Sequence, residues 1–164
     1  SRFSMVEHNQ LCFLISDCPS SDAECPAFKN IYLKHGVTHV VRVCEPLYRI
    51  SELQCQEIQV HDWPFENGVS PPQQILSEWL ALVDQMAIKN AKSTDHKECI
   101  AIHCMTGLNR GPMLVAIAFI EYGMSASEAV GLIRSMRRGA ISVSDFVILE
   151  EYVKRDQRVE QKVP

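Results

Sequence analysis

Apolar residues in this chain fall into two kinds of run, short blocks of strand length and longer stretches with helical spacing. Leu11 to Ile15 is an unbroken apolar block, predicted as a strand and followed by a polar Ser, Asp and Pro turn. Residues 22–35 read as a helix that stops at Gly36, a natural C-terminal cap. Residues 37–44 are β-branched and mostly apolar, which suits a buried strand, and Glu45 and Pro46 break it. Residues 57–61 alternate as a strand and lead into 62–68, a turn-rich stretch that holds Trp63 and Phe65. Two aromatics there suggest an organised functional loop rather than a solvated linker.

Ser70, Pro71 and Pro72 mark a helix start, since proline is tolerated in a first turn. Ile75, Trp79, Val83 and Met86 then repeat at helical spacing to about Lys89 and form a core stripe. A polar loop, 90–97, precedes a strand at 98–103. Helix 110–122 is apolar nearly all round and should lie at the centre of the core. Ser125 with Glu128 forms a capping box for a helix to about Met136, closed by Arg137, Arg138 and Gly139. A last helix is expected from Ser144 to Asp156, then a short charged tail to Pro164. Strands alternating with helices, without repeats or a linker, predict one α/β domain over 1–164. Its sheet should be central and mostly parallel, with helices on both faces.

Charge and cysteine content narrow the function. A net charge of −4, mixed along the chain, leaves no basic field for nucleic acid, so any anion site must be local. No apolar run is long enough to span a bilayer and no signal peptide is recognisable; the start at Ser1, not Met, points to a trimmed or replaced terminus. Seven cysteines, at 12, 18, 25, 44, 55, 99 and 104, lack the spacing of a disulfide framework and point to a reducing, cytoplasmic compartment. Zinc on Cys99, His103 and Cys104 is disfavoured, because 103 and 104 face opposite sides of a strand and no Cys-x-x-Cys pair occurs. No metal and no cofactor are expected.

The chemistry concentrates at residues 100–113. A strand enters Cys104, a loop of Met105, Thr106, Gly107, Leu108 and Asn109 follows, and Arg110 opens the central helix. Backbone N–H groups of such a loop, with the positive end of the helix, form an anion cradle, and such a field favours the nucleophilic thiolate. Arg110 can lay its planar fork across two phosphoryl oxygens. Nucleophile, cradle and clamp in seven residues point to phosphoryl transfer through a cysteinyl-phosphate.

Ligands in such sheets sit beyond the C-terminal strand ends. Cys44 and Glu45, the 62–68 loop and the Cys104 loop should therefore meet. Asp62 and Glu66 are candidates for the general acid, and each is equally well a solvated or capping carboxylate. Cys44 is either an inert buried cysteine or a thiol that pairs reversibly with Cys104. Arg137 and Arg138 need no role beyond cations at a helix C-terminus unless they rim the site.

The motif His103-Cys104, five residues, then Arg110 is that of the cysteine-dependent protein phosphatases. Val41 to Glu45, Asp62 to Phe65, Arg110 to Pro112 and Arg137 to Ala140 together resemble the phosphatase-of-regenerating-liver family, over about residues 8–155. The resemblance implies a dual-specificity-phosphatase-like fold, with Cys104 as nucleophile, Arg110 as clamp and residues 105–110 holding the phosphate. It implies a regulatory disulfide between Cys44 and Cys104. Its substrates would be phosphotyrosine proteins or phosphoinositides, and a possible partner is a magnesium-transport mediator of the cyclin-M type. Three departures stand out. The family's general-acid aspartate is replaced by Asn67, so either Glu66 before it or another group substitutes, or departure relies on good leaving groups. Gly111 stands where most cysteine phosphatases carry a hydroxyl, so slow turnover is expected. The prenylated C-terminal box of the family is not in this sequence, so membrane association would require a terminus that has been removed.

Overall fold

The computed structural model describes residues 2–161. Five strands form one sheet: β1 (Phe3–His8), β2 (Leu11–Asp17), β3 (Val37–Arg42), β4 (Gln59–Asp62) and β5 (Cys99–Cys104). Their spatial order is β1-β2-β5-β3-β4; β1 is antiparallel to β2, and all other pairs are parallel. The helices are α1 (Cys25–Lys34), α2 (Gln73–Lys92), α3 (Arg110–Glu121), α4 (Ala126–Met136), α5 (Val143–Glu150) and α6 (Arg155–Gln161). The α/β domain with a mostly parallel sheet between helical layers is thus as expected.

Register assigns the two faces. Phe13 lies beside Ile100 and Ile15 beside Ile102, and this face meets α2 and α3 through Phe13, Trp79 and Phe119, with ring centroids 5.5–5.6 Å apart. Trp79 is fully buried, and its indole N–H donates to the Leu114 carbonyl at 2.8 Å, so the ring brings no unpaired donor into the core. Each such buried ring contributes on the order of 1.5–3 kcal/mol. His103 points to the opposite face, against Phe28 and Tyr32 of α1.

Several boundaries depart from expectation, with α1 starting at Cys25 rather than 22 and β4 at Gln59 rather than 57. β1 was not anticipated: Phe3 and Met5 alternate with Ser4 and Val6, and Asn9, at φ 52°, turns the chain into β2. β3 ends at Arg42 rather than 44. Helix α2 continues to Lys92 because Asn90 is buried and satisfied, giving its amide to the Gln10 and Glu98 carbonyls and accepting from the Glu98 N–H. The single helix expected over 144–156 is two, α5 and α6. The chain leaves α5 so that Tyr152 and Arg155 can reach Glu121, and Arg155 also Asp84, at 2.6–3.3 Å. The tail beyond Gln161 lies outside the described residues.

Candidate active site

Every parallel strand delivers its C-terminal end to one edge of the sheet, and Cys104 closes the middle strand there. The residue is almost fully buried. Its Sγ accepts from the Gly111 N–H at 3.5 Å, in the first turn of α3, so a helix-terminal dipole is aimed at the sulfur. Beneath it, the fully buried His103 ring bridges two phenols, Tyr48 at 2.7 Å and Tyr32 at 3.0 Å. Burial, with Arg42 nearby, drives the imidazole down to about 3, so it is neutral, one ring nitrogen donating and the other accepting.

The loop from Met105 to Asn109 curls over the sulfur. Met105 and Thr106 are exposed, Gly107 is buried, and Leu108 and Asn109 are half-buried. Gly107 has φ 71°, and a Cβ there would stand 2.6 Å from both the Ser16 backbone and the Arg137 guanidinium. Only glycine fits. Thr106 and Gly107 carbonyls are held by Arg137 at 3.2 and 2.7 Å, and the Leu108 carbonyl by the Ile141 N–H at 2.7 Å. Gly111 leaves a small space: a Cβ there would lie 3.6 Å from Ile102 and 3.8 Å from the Cys104 sulfur, ordinary contact distances.

Arg110 is buried at the head of α3. It donates to the Phe65 carbonyl at 2.9 Å and lies 3.5 Å from the Glu45 carboxylate. Arg110 is therefore tied to the backbone of the 62–68 loop, which itself continues the sheet through Trp63 to the Arg42 carbonyl and Phe65 to the Val43 carbonyl. Two hydrogen bonds of 2.9 Å join the Asp62 carboxylate to Arg42 as a fork. Asp62 thus serves to link β3 to β4. Glu66 and Asn67 are exposed, and among the described residues neither makes a side-chain hydrogen bond or ion pair.

Cys44 is fully buried where the chain leaves β3, and Cys18 is buried just past β2, on the other side of the Cys104 strand. The Cys18 and Cys44 thiols interact with each other. That interaction pulls the Cys44 proton affinity down, with help from Arg110 and Arg42, and pushes that of Cys18 up. Cys18 had no place among the expected site residues, and its only signal is that it lies three residues beyond an apolar block that runs toward the site. Arg137 was expected only as a helix-terminal cation, although the Arg137 to Ala140 motif already marked it.

A sheet with a cysteine loop at its central C-terminal edge and an arginine at the head of the next helix defines a phosphatase of the cysteine-dependent class. The family model for protein-tyrosine phosphatase matches residues 25–149. The chain is 40% identical to protein tyrosine phosphatase type IVA 3 of Bos taurus over 159 residues, 97% of this chain and 88% of that protein. It is 41% identical to the PRL-1 phosphatase of Drosophila melanogaster over 149 residues, 91% and 81% of the two chains. The solved structure of a protein tyrosine phosphatase from Leishmania major superposes with a TM-score of 0.82 at 34% identity, covering 94% of this chain and all of that one. Kinase-associated phosphatase shares the fold, with a TM-score of 0.70 at 17% identity over 91% of this chain and 92% of that one. The chain belongs to the protein-tyrosine phosphatase family, in its type IVA branch with a dual-specificity-like fold.

Proposed function

We propose that this phosphatase hydrolyses phosphotyrosine slowly through a phosphocysteine on Cys104, and that a Cys44–Cys104 disulfide turns it off. The observation that carries the reading is the Cys104 loop closed by Gly107 and Arg110 around one buried sulfur. Cys104 Sγ attacks phosphorus, the P–O bond to the tyrosine oxygen breaks, and that oxygen leaves with a proton. N–H groups of residues 105–110 and the Arg110 fork hold the three remaining oxygens. With Asp62 engaged by Arg42, Glu66 is the carboxyl of the loop left to supply the proton, beside an Asn67 that has none to give.

Water then cleaves the S–P bond. No hydroxyl stands at position 111 to orient that water or assist the departing sulfur, so the intermediate accumulates. Hydrogen peroxide or a related peroxide oxidises Cys104 to the sulfenic acid. The Cys44 sulfur attacks the oxidised sulfur, the S–O bond breaks, and water leaves once the oxygen is protonated; a cellular dithiol reverses the step. Such reversibility fits the reducing, cytoplasmic setting that the free cysteines suggest.

Rapid mixing with an aryl phosphate tests the reading. A stoichiometric phenol burst, acid-stable phosphate on Cys104 and their loss in Cys104→Ser, with turnover down at least about 10³-fold, are expected. Turnover by Cys104→Ser equal to that of the unmodified protein would end it.

Asn67 and Gly111 also favour a second reading, in which the cradle chiefly holds an acidic segment of a partner, the resemblance suggesting a magnesium-transport mediator of the cyclin-M type. A pull-down comparing reduced, oxidised and phosphorylated Cys104 separates the two. Equal partner capture in all three states would remove the switch from this reading.

A further inference from the structure

Arg137 closes helix α4, where a cation needs no special role. Its hydrogen bonds nevertheless leave that helix. Nε donates to the Gly107 carbonyl at 2.7 Å and Nη2 to the Thr106 carbonyl at 3.2 Å, while Nη1 reaches the Ser4 hydroxyl and the Arg2 carbonyl of the N-terminal segment, both at 3.0 Å. All four partners are neutral oxygens, so no carboxylate among them spends the charge. The side chain is half-buried between β1 and the cysteine loop. Arg138, its neighbour, is exposed and makes no such bonds among the described residues.

A trans peptide plane sets its C=O and the following N–H in opposite directions. Clamping the Thr106 and Gly107 carbonyls from outside therefore turns the N–H groups of Gly107 and Leu108 inward. The Ile141 N–H does the same for the peptide of Leu108 and Asn109, from a β-branched residue at φ 65°. Such a conformation persists only where its surroundings impose it. The Leu108 N–H has a local acceptor in the Thr106 hydroxyl at 3.2 Å, which an entering phosphoryl oxygen would displace.

We propose that Arg137 is a positioning residue for phosphoryl transfer: by gripping the outer carbonyls of the cysteine loop from a seat on β1, it aims the loop's N–H donors at the phosphate. This rests on the Cys104 reading above. The donors are what stabilise the transition state. Their alignment acts on chemistry and on anion affinity together, without Arg137 touching the substrate. Ser4 holds the far end of the same guanidinium and acts one step further out.

The test uses the full chain, with kcat and KM for para-nitrophenyl phosphate, inhibition by orthovanadate, and the melting midpoint. Arg137→Ala should lower kcat and vanadate affinity in parallel, by about 10–100-fold, the range for residues that support direct ligands. Free guanidinium at millimolar concentration should restore part of both. Arg138→Ala should stay within about twofold. If Arg137→Ala does not fold, Arg137→Lys carries the test; one ammonium cannot span both carbonyls and Ser4, and vanadate affinity should still fall several-fold. Either variant, folded, with kcat and vanadate inhibition within about twofold of the unmodified protein would overturn the proposal. A lowered melting point with unchanged vanadate affinity in the folded fraction would do so equally. Should the unmodified protein neither turn over nor bind vanadate, the Cys104 reading fails instead.

Discussion

The two loops that face each other over Cys104 are built in opposite ways. The cysteine loop, 104–110, is gripped at three successive carbonyls by Arg137 and Ile141, floored by Ser16 and entered by a glycine that admits no substitute. Across from it, the 62–68 loop is held by its backbone at Trp63 and Phe65 and by Asp62, while Glu66 and Asn67 project into solvent unpartnered by the described residues. One half of the site, which receives the anion, is preorganised; the half that must deliver a proton is not. Electrostatic preorganisation is the larger contribution in such chemistry, so a phosphatase can lose acid assistance and remain one, at lower speed.

The sharpest way to break this contrast is Gly107→Ala. With a Cβ 2.6 Å from Ser16 and from Arg137 and a left-handed backbone to maintain, the cradle must open. Turnover of para-nitrophenyl phosphate and vanadate binding should both fall by about 10²-fold or more, the cost of losing a donor of this kind. The opposite experiment equips the weak half. Asn67→Asp should raise kcat/KM by about 10–100-fold for phosphotyrosine and alkyl phosphates, and hardly at all for good leaving groups such as nitrophenol. A uniform gain across leaving groups would show that the change acts on binding.

A smaller effect is expected behind the nucleophile. Interaction with Cys18 lowers the proton affinity of Cys44. Cys18→Ala should therefore slow peroxide-driven loss of the Cys44 and Cys104 thiols several-fold at neutral pH, as followed by mass spectrometry of alkylated peptides. An unchanged rate would assign the reactivity of Cys44 to Arg110 and Arg42 alone.

The least visible effect belongs to the floor. His103 stays neutral down to about 3, whereas an unfolded chain takes up that proton near 6.5. Its contribution to stability is whole above about pH 6.5. It is lost as pH falls toward 3, at up to about 1.4 kcal/mol per pH unit. Urea denaturation from pH 8 to 5 should show this slope, reinforced by His39 and His61, whose proton affinities burial also lowers. His103→Asn should be less stable at every pH yet flatter in acid. An equally steep curve would place the linkage elsewhere.

What could be read from residue order alone was whatever is local. Cysteine, glycine and arginine within seven positions, a β-branched strand ended by proline and a serine–glutamate capping box each declare themselves over one or two turns. What escaped depends on distant parts of the chain. Arg137 finds its oxygens 30 and 133 residues away, beyond any spacing rule. The break between α5 and α6 is set by Glu121 and Asp84, which draw Arg155 aside where periodicity alone would continue the helix. β1 is short and lacks a clean alternation of apolar and polar residues, and it is a strand because β2 offers it an edge. Asp62 and Glu66 looked alike as carboxylates. Arg42, twenty positions before Asp62 but its direct neighbour across the sheet, is what tells them apart.

The bond from Arg110 to the Phe65 carbonyl makes a mechanical link of an electrostatic one. Any displacement of the main chain at Phe65 is carried straight to the buried cation, so loop and helix cannot drift apart independently.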